Sequence, residues 1–112
     1  MGEQNKNEAK NSEIKIENGT ISIKLSKKMK FNDVEIEKVD LDLNSLTGGD
    51  ICEAETNFRE RFFQPIPDAN YSQAYQAAVA AKASGLPYEF ILELNPKDFS
   101  RVTGAIKGFL LG

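Results

Sequence analysis

Histidine is absent from this 112-residue chain, and cysteine occurs once, at Cys52. Without histidine, neither a Ser-His nor a Cys-His nucleophile can be assembled, and no Cys/His zinc site of known spacing can form. A lone cysteine makes no internal disulfide, which agrees with a reducing cytoplasm. No apolar run approaches the ~18 residues of a membrane span, and no signal-peptide core precedes a small-residue cleavage site. Basic excess is missing as well. With 17 acidic and 14 basic residues the net charge is −3, so no overall positive field is available to hold a nucleic-acid backbone. These absences lead us to expect a soluble, intracellular protein with no membrane or nucleic-acid partner, no metal and no cofactor.

What is present is an ordinary globular composition, 40% hydrophobic and 28% charged, in a chain sized for one compact domain. Its last third organises the rest. Apolar residues fall at Tyr71, Ala74, Tyr75, Ala78 and Val79, then at Phe90, Ile91 and Leu94, then at Phe99, Val102, Ile106, Phe109 and Leu110. The first and third sets keep i, i+3, i+4, i+7 spacing and so mark one face of a helix. Upstream, residues 1–12 are rich in Asn, Glu and Lys and nearly devoid of apolar side chains. Such a segment does not offset the entropy of ordering it and reads as a disordered tail.

The β-layer occupies 13–43. Ile14 and Ile16 alternate with Lys15 and Glu17, Asn18-Gly19 intervenes, and Ile21, Ile23 and Leu25 alternate again. Asn-Gly accepts the positive φ angles of a type I′ turn, so Ile16 should face Ile21 and Ile14 should face Ile23. Ser26 to Asp33 reads as a lysine-rich loop with Met29 and Phe31 as anchors to the core. Val34 to Leu43 reads as a third strand whose apolar parity changes between Ile36 and Val39, predicting a bulge near Glu37-Lys38. Asp40 and Asp42 fall on the face opposite Leu41 and Leu43.

The helical part spans 47–111. Thr47 and Asp50 have capping-box spacing, with Asp in place of the usual Glu. Ile51, Ala54, Glu55, Phe58 and Phe62 mark the face of the helix that follows, which should end before Gln64-Pro65. Asp68 or Asn70 is expected to cap an alanine-rich helix through Ala83. Gly85 suits the left-handed position past its end, Pro87 the first turn of a short helix, and Asn95 the cap of a last helix with Pro96 and Asp98 in its first turn. The predicted architecture is α+β: a small antiparallel three-stranded sheet, a hairpin plus a third strand, packed on about four helices, all in one domain over 13–112.

Motifs that could carry chemistry have simpler readings. Lys24, Lys27, Lys28 and Lys30 cluster, but acidic residues dominate the flanking segment, so a solvated loop is favoured over a phosphate contact. Thr47-Gly48-Gly49-Asp50 lacks the Lys-Ser/Thr of a phosphate loop and reads as a helix cap. Asp40 and Asp42, with Glu35 and Glu37, lack calcium-loop spacing and read as the wet face of a strand. Cys52 reads as a small buried helix residue. Gly104 and Gly108 are expected to pack closely on the alanine-rich helix. Phe58, Phe62, Phe63, Phe99 and Phe109 are expected to be mostly core. Phe63 and the Leu110-Leu111 end exceed what one helical stripe buries, which makes them candidates for an exposed apolar contact. No catalytic residue emerges.

The order of motifs resembles the phage tail assembly chaperones of Mu-like phages and Gram-positive prophages. The front half, ISIKLSKKMKFNDVEIEKVDLDLNSLTGGDICEAE, has their strand ending in Leu-Ser, polar turn, acidic Leu-Asp-Leu strand and Thr-Gly-x-Asp helix start. The back half, QAAVAAKASGLPYEFILELNPKDFSRVTGAIKGFL, has their alanine-rich helix, Gly-Leu-Pro and terminal Phe-Leu. The resemblance covers about Ile21 to Leu111, with Lys27-Lys28 standing where a Lys-Pro is common. It implies a non-enzymatic helper that binds the tape measure protein during tail assembly in the host cytoplasm and is absent from the finished virion. It also implies a second partner, a frameshift-extended form of the chain itself, of which a chain ending near Leu111 would be the short form; homo-oligomerisation stays open. The residues expected to contact the tape measure are Phe62, Phe63, Ile66, Leu110 and Leu111, chosen for their place at the edges of helical stripes. The competing reading is a structural tail or head-tail connector component that stays in the particle.

Overall fold

A computed structural model describes residues 14–17, 19–63 and 72–111. The tail assigned to 1–12, together with Ile66, Asp68, Asn70 and Tyr71, lies outside them. Strands β1 (Ile14–Glu17), β2 (Thr20–Phe31) and β3 (Val34–Asp42) form an antiparallel sheet in the order β1-β2-β3. Helices α1 (Gly48–Phe62), α2 (Gln73–Ser84), α3 (Tyr88–Leu92) and α4 (Pro96–Leu111) follow, after a 3-10 turn at Leu43–Ser45. The α+β architecture is the one the sequence predicts.

The first hairpin has the expected register. Ile14 faces Ile23, Ile16 faces Ile21, and Gly19 takes a φ of 82°. An added Cβ at Gly19 would fall within 3 Å of the Asn44 side chain, so the turn needs glycine twice over, for its φ and for space. The lysine-rich segment corrects the sequence reading. Ser26 to Phe31 is not a loop but the second half of β2, paired through Met29 with Ile36 and Phe31 with Val34. Its turn is Asn32-Asp33, both at positive φ (53° and 65°), the I′ geometry that these two residue types tolerate. Met29 and Phe31 are partly buried against the core, with the Phe31 ring edge-on to Phe90 at 6.2 Å. The break in register lies between Lys24 and Met29, opposite the expected bulge at Glu37-Lys38. The extra residues sit on β2, and the parity change on β3 is their imprint.

Helix α2 is the centre of the molecule. Tyr75 to Ala80 are all buried, with Ala77, Ala78, Val79 and Ala80 at zero exposure. A helix packed all round needs small side chains to let its neighbours approach, which the alanines supply. It contacts α1, α3, α4 and β3, while α4 also reaches β2. Val39 and Leu41 of β3, Ile23 and Leu25 of β2, Phe58 of α1, Phe90 and Ile91 of α3, and Val102 and Ile106 of α4 complete the core.

Local signals set the helix ends. Thr47 Oγ1 accepts from Asp50 N–H at 3.1 Å while Asp50 Oδ2 accepts from Thr47 N–H at 3.0 Å, the reciprocal box expected. Replacing Thr47 with Ala should cost about 1 kcal/mol in chemical denaturation, with no change in the denaturant slope. Gly85 closes α2 at a φ of 74° and Asn95 Oδ1 accepts from Asp98 N–H at 2.9 Å. Pro87 stands one residue before α3 rather than inside it. The cap of α2 is Ser72, whose hydroxyl accepts from Tyr75 N–H at 3.2 Å, and not Asp68 or Asn70; helix formation starts later because Ser72 caps as well as Asp does. Gly104 and Gly108 are exposed, with nothing within 4 Å of where a Cβ would stand. Close packing through this pair is overturned: α4 meets its neighbours through Val102, Thr103 and Ile106 on another face.

Candidate functional site

Titratable side chains are dispersed. Among the described residues, no group of three or more His, Cys, Asp or Glu side chains is placed to hold a metal ion. Asp40 accepts a hydrogen bond from the Ser22 hydroxyl and pairs with Lys38 at 3.9 Å; Glu35 pairs with Lys28 at 3.8 Å. Both acidic residues are exposed, as a strand's wet face should be. Cys52 is exposed on α1, against the expectation of burial; Ala54 and Phe58 carry that helix's buried face instead. Two tyrosines bear on the core's polarity. Burial pushes the Tyr88 hydroxyl up to about 12, with Arg61 pulling down and Glu89 pushing up, and the hydroxyl donates to the Ala74 carbonyl. Burial, then Glu55 and Cys52, raises Tyr75. Both phenols therefore remain neutral at physiological pH and serve as packing and hydrogen-bonding groups.

One buried charge went unread in the sequence. Asp98, at zero exposure, does more than sit in the first turn of α4. Both its carboxylate oxygens accept from Ser26 N–H at 3.0 Å, and Oδ2 accepts from Ser26 Oγ at 3.1 Å. Asn95 Nδ2 donates to Ser26 Oγ at 3.1 Å, and Arg101 lies 3.8 Å from Asp98 Oδ1. The start of α4 thus clips the bulge of β2. Nothing in the local sequence signals a bond between residues 72 positions apart.

The apolar surface is more informative. Phe63 is 89% exposed, Leu111 52%, Phe109 41% and Phe62 37%. Leu110 is partly buried against the core. Of the aromatic set, Phe58 is core and Phe99 partly so; Phe62 and Phe109 are exposed, which corrects the expectation that the set is mostly core, while Phe63 is exposed as its excess over one helical stripe suggests. Phe63 is the C-cap of α1 in the left-handed conformation, with its N–H bonded to Arg59 O at 2.7 Å. That backbone costs a residue with a Cβ about 1–2 kcal/mol, and here it holds a phenyl ring in water. Arg61 fastens the same end to α3 through Glu89 at 2.8 Å and lies 5.8 Å above the Phe62 ring. The expected contact residues fall on two helix ends: Phe62 and Phe63 on α1, Leu110 and Leu111 on α4. Both helices pack on α2 rather than extensively on one another.

The sequence reading missed a third apolar strip. Ile14 is 39% exposed and Ile16 72%, although their partners Ile23 and Ile21 turn inward. The register sets them on the helix side of the sheet, but the helices cover β2 and β3 and stop short of β1. On the opposite face Lys15, Glu17, Ser22, Lys24, Glu37 and Lys38 line a cleft of about 290 Å³. The brevity of the first strand was the available signal.

A family model described as phage tail assembly chaperone proteins, E, or 41 or 14, matches residues 22–111, well over half of the chain. No curated protein and no solved structure gives a significant match.

Proposed function

We propose a function from one premise: the chain belongs to the phage tail assembly chaperone family. In this reading the protein is a non-enzymatic helper that binds the tape measure protein in the host cytoplasm during tail assembly and is left out of the finished particle. The observation that carries it is the pair of apolar helix ends, Phe62-Phe63 and Leu110-Leu111, with Phe62, Phe63 and Leu111 exposed and Leu110 partly buried beside them; Ile66 falls in the segment beyond Phe63, outside the described residues. A long helical partner awaiting assembly exposes an apolar stripe that aggregates unless covered. Aromatic and leucine side chains held on rigid helix ends supply the contact area that a groove or stripe recognises. The left-handed backbone at Phe63 fits this role, since strain kept on an exposed aromatic ring is the kind of outlier that function explains.

The test is co-expression with the tape measure protein, followed by pull-down and sizing. A soluble complex should form, and the tape measure should precipitate when this chain is omitted. Phe63→Ser combined with Leu110→Ser should weaken the complex at least about tenfold, two apolar anchors being worth more than 1.4 kcal/mol. Because Leu110 is partly buried, Phe63→Ser with Leu111→Ser serves as the second variant, checked by thermal melting. Unchanged binding in both would sink the assignment of these residues. Mass spectrometry of purified particles decides the timing: the chain should be missing, and its presence would identify a structural component.

A further inference from the structure

We infer that β1 is a self-association edge, and that two copies of this chain join their sheets there into one six-stranded antiparallel sheet. Among the described residues no strand pairs with the outer edge of β1. In a two-residue hairpin the residues flanking the turn exchange hydrogen bonds, here Glu17 with Thr20. Lys15 therefore also bonds inward to Ser22, and Ile14 and Ile16 point their N–H and C=O groups outward. The row of backbone groups on that edge is a template for another strand, and it coincides with the most exposed strand isoleucine, Ile16 at 72%.

Charge identifies the occupant. A two-fold axis through the edge requires outward-pointing residues to face outward-pointing residues, which leaves few registers. Centring on Ile16 sets Ile16 opposite its own copy and exchanges both hydrogen bonds there. Lys15 of each copy then stands opposite Glu17 of the other, on the face away from the helices. Moving the register by one step of two residues in either direction sets Lys15 against Lys15 or Glu17 against Glu17. The sequence Ile14-Lys15-Ile16-Glu17 is thus complementary to itself in one register and repulsive in the adjacent ones. This inference is independent of the tape measure reading, since it involves neither helix end.

The experiment is sedimentation equilibrium of the full chain over a concentration series, with the 12.4 kDa mass expected to double. Lys15→Glu alone and Glu17→Lys alone should each weaken the dimer about tenfold, because each turns two attractive pairs into repulsive ones. The two substitutions together exchange the signs and should restore the affinity of the parent. Circular dichroism on each variant checks the fold. Position is read separately: Ile16→Cys in a Cys52→Ser background should form a disulfide-linked dimer on oxidation, since facing residues of a hydrogen-bonded pair lie about 5.5 Å apart at Cα. Val34→Cys, at the tip of the other hairpin, should not. A monomer at every concentration, a dimer indifferent to the single charge changes, or one not restored by the double change would overturn the proposal, as would crosslinking at Val34 and not at Ile16.

Discussion

Replacing Asp98 with Ala should lower stability by about 3 kcal/mol, because hydrogen bonds to a charged, buried acceptor are worth ~1.5–3 kcal/mol each and their donors would be stranded. The donors in question are Ser26 N–H, shared between both carboxylate oxygens, and the Ser26 hydroxyl. In thermal unfolding the loss should appear as a fall in Tm of on the order of 10–20 °C for a domain this size. Asp98→Asn keeps the shape and one acceptor oxygen and should cost about half as much. The damage should be local as well as global. Amide exchange should quicken first at Ser26 and its bulge neighbours, since the Ser26 N–H donates to both oxygens of this carboxylate. A variant of wild-type stability would show that the clip is incidental.

The second large effect is expected at Phe58. The only buried residues of α1 are Ala54 and Phe58, so one large side chain carries most of that helix's apolar contact, its ring 5.2 Å from that of Phe62. Phe58→Ala removes the transfer energy of the ring and leaves a cavity, together about 3–5 kcal/mol. Phe58→Leu, closer in volume, should cost about 1–1.5 kcal/mol. Denaturant titration measures both. Hydrogen exchange adds a discriminating pattern: in Phe58→Ala, α1 should lose protection before α2, which is held from several sides. Equal loss in all helices would mean that α1 is not separately anchored. The variant also bears on the proposed contact, since Phe62 and Phe63 ride on the same helix. Binding lost in Phe58→Ala but kept in Phe58→Leu would show that the helix end must be rigid to work.

Legibility in the sequence followed the range of the interaction. The hairpin at Gly19, the capping box at Thr47, the left-handed Gly85 and the Asn95 cap are each decided within four residues, and each stands where the sequence puts it. Ser26 to Phe31 was misread because its turn, Asn32-Asp33, lacks glycine and its two apolar residues are surrounded by lysines. The extra residues of the bulge shifted onto β2 for a related reason: parity shows that a register breaks but not which strand holds the surplus. Exposure at Cys52, Phe109, Gly104 and Gly108 depends on where neighbouring helices end, which one-dimensional spacing does not encode. The exposure of Phe63 and Leu111 is legible because these side chains exceed a single stripe. That of Ile14 and Ile16 is not, because an alternating strand looks the same whether its face is covered or bare.

The bond between Ser26 and Asp98 also has a consequence in time. A ribosome adding about 5–20 residues per second needs roughly 4–14 seconds to get from the one to the other, 72 positions apart. Between the completion of β3 at Asp42 and that of α2 at Ser84 the sheet can form its hairpins, but its inner row of Ile23, Leu25, Val39 and Leu41 has no helix α2 to meet, and α4 follows only from Pro96. The nascent chain spends part of that time with an apolar sheet uncovered, and the bond that fastens the sheet to α4 waits until Asp98 has been added.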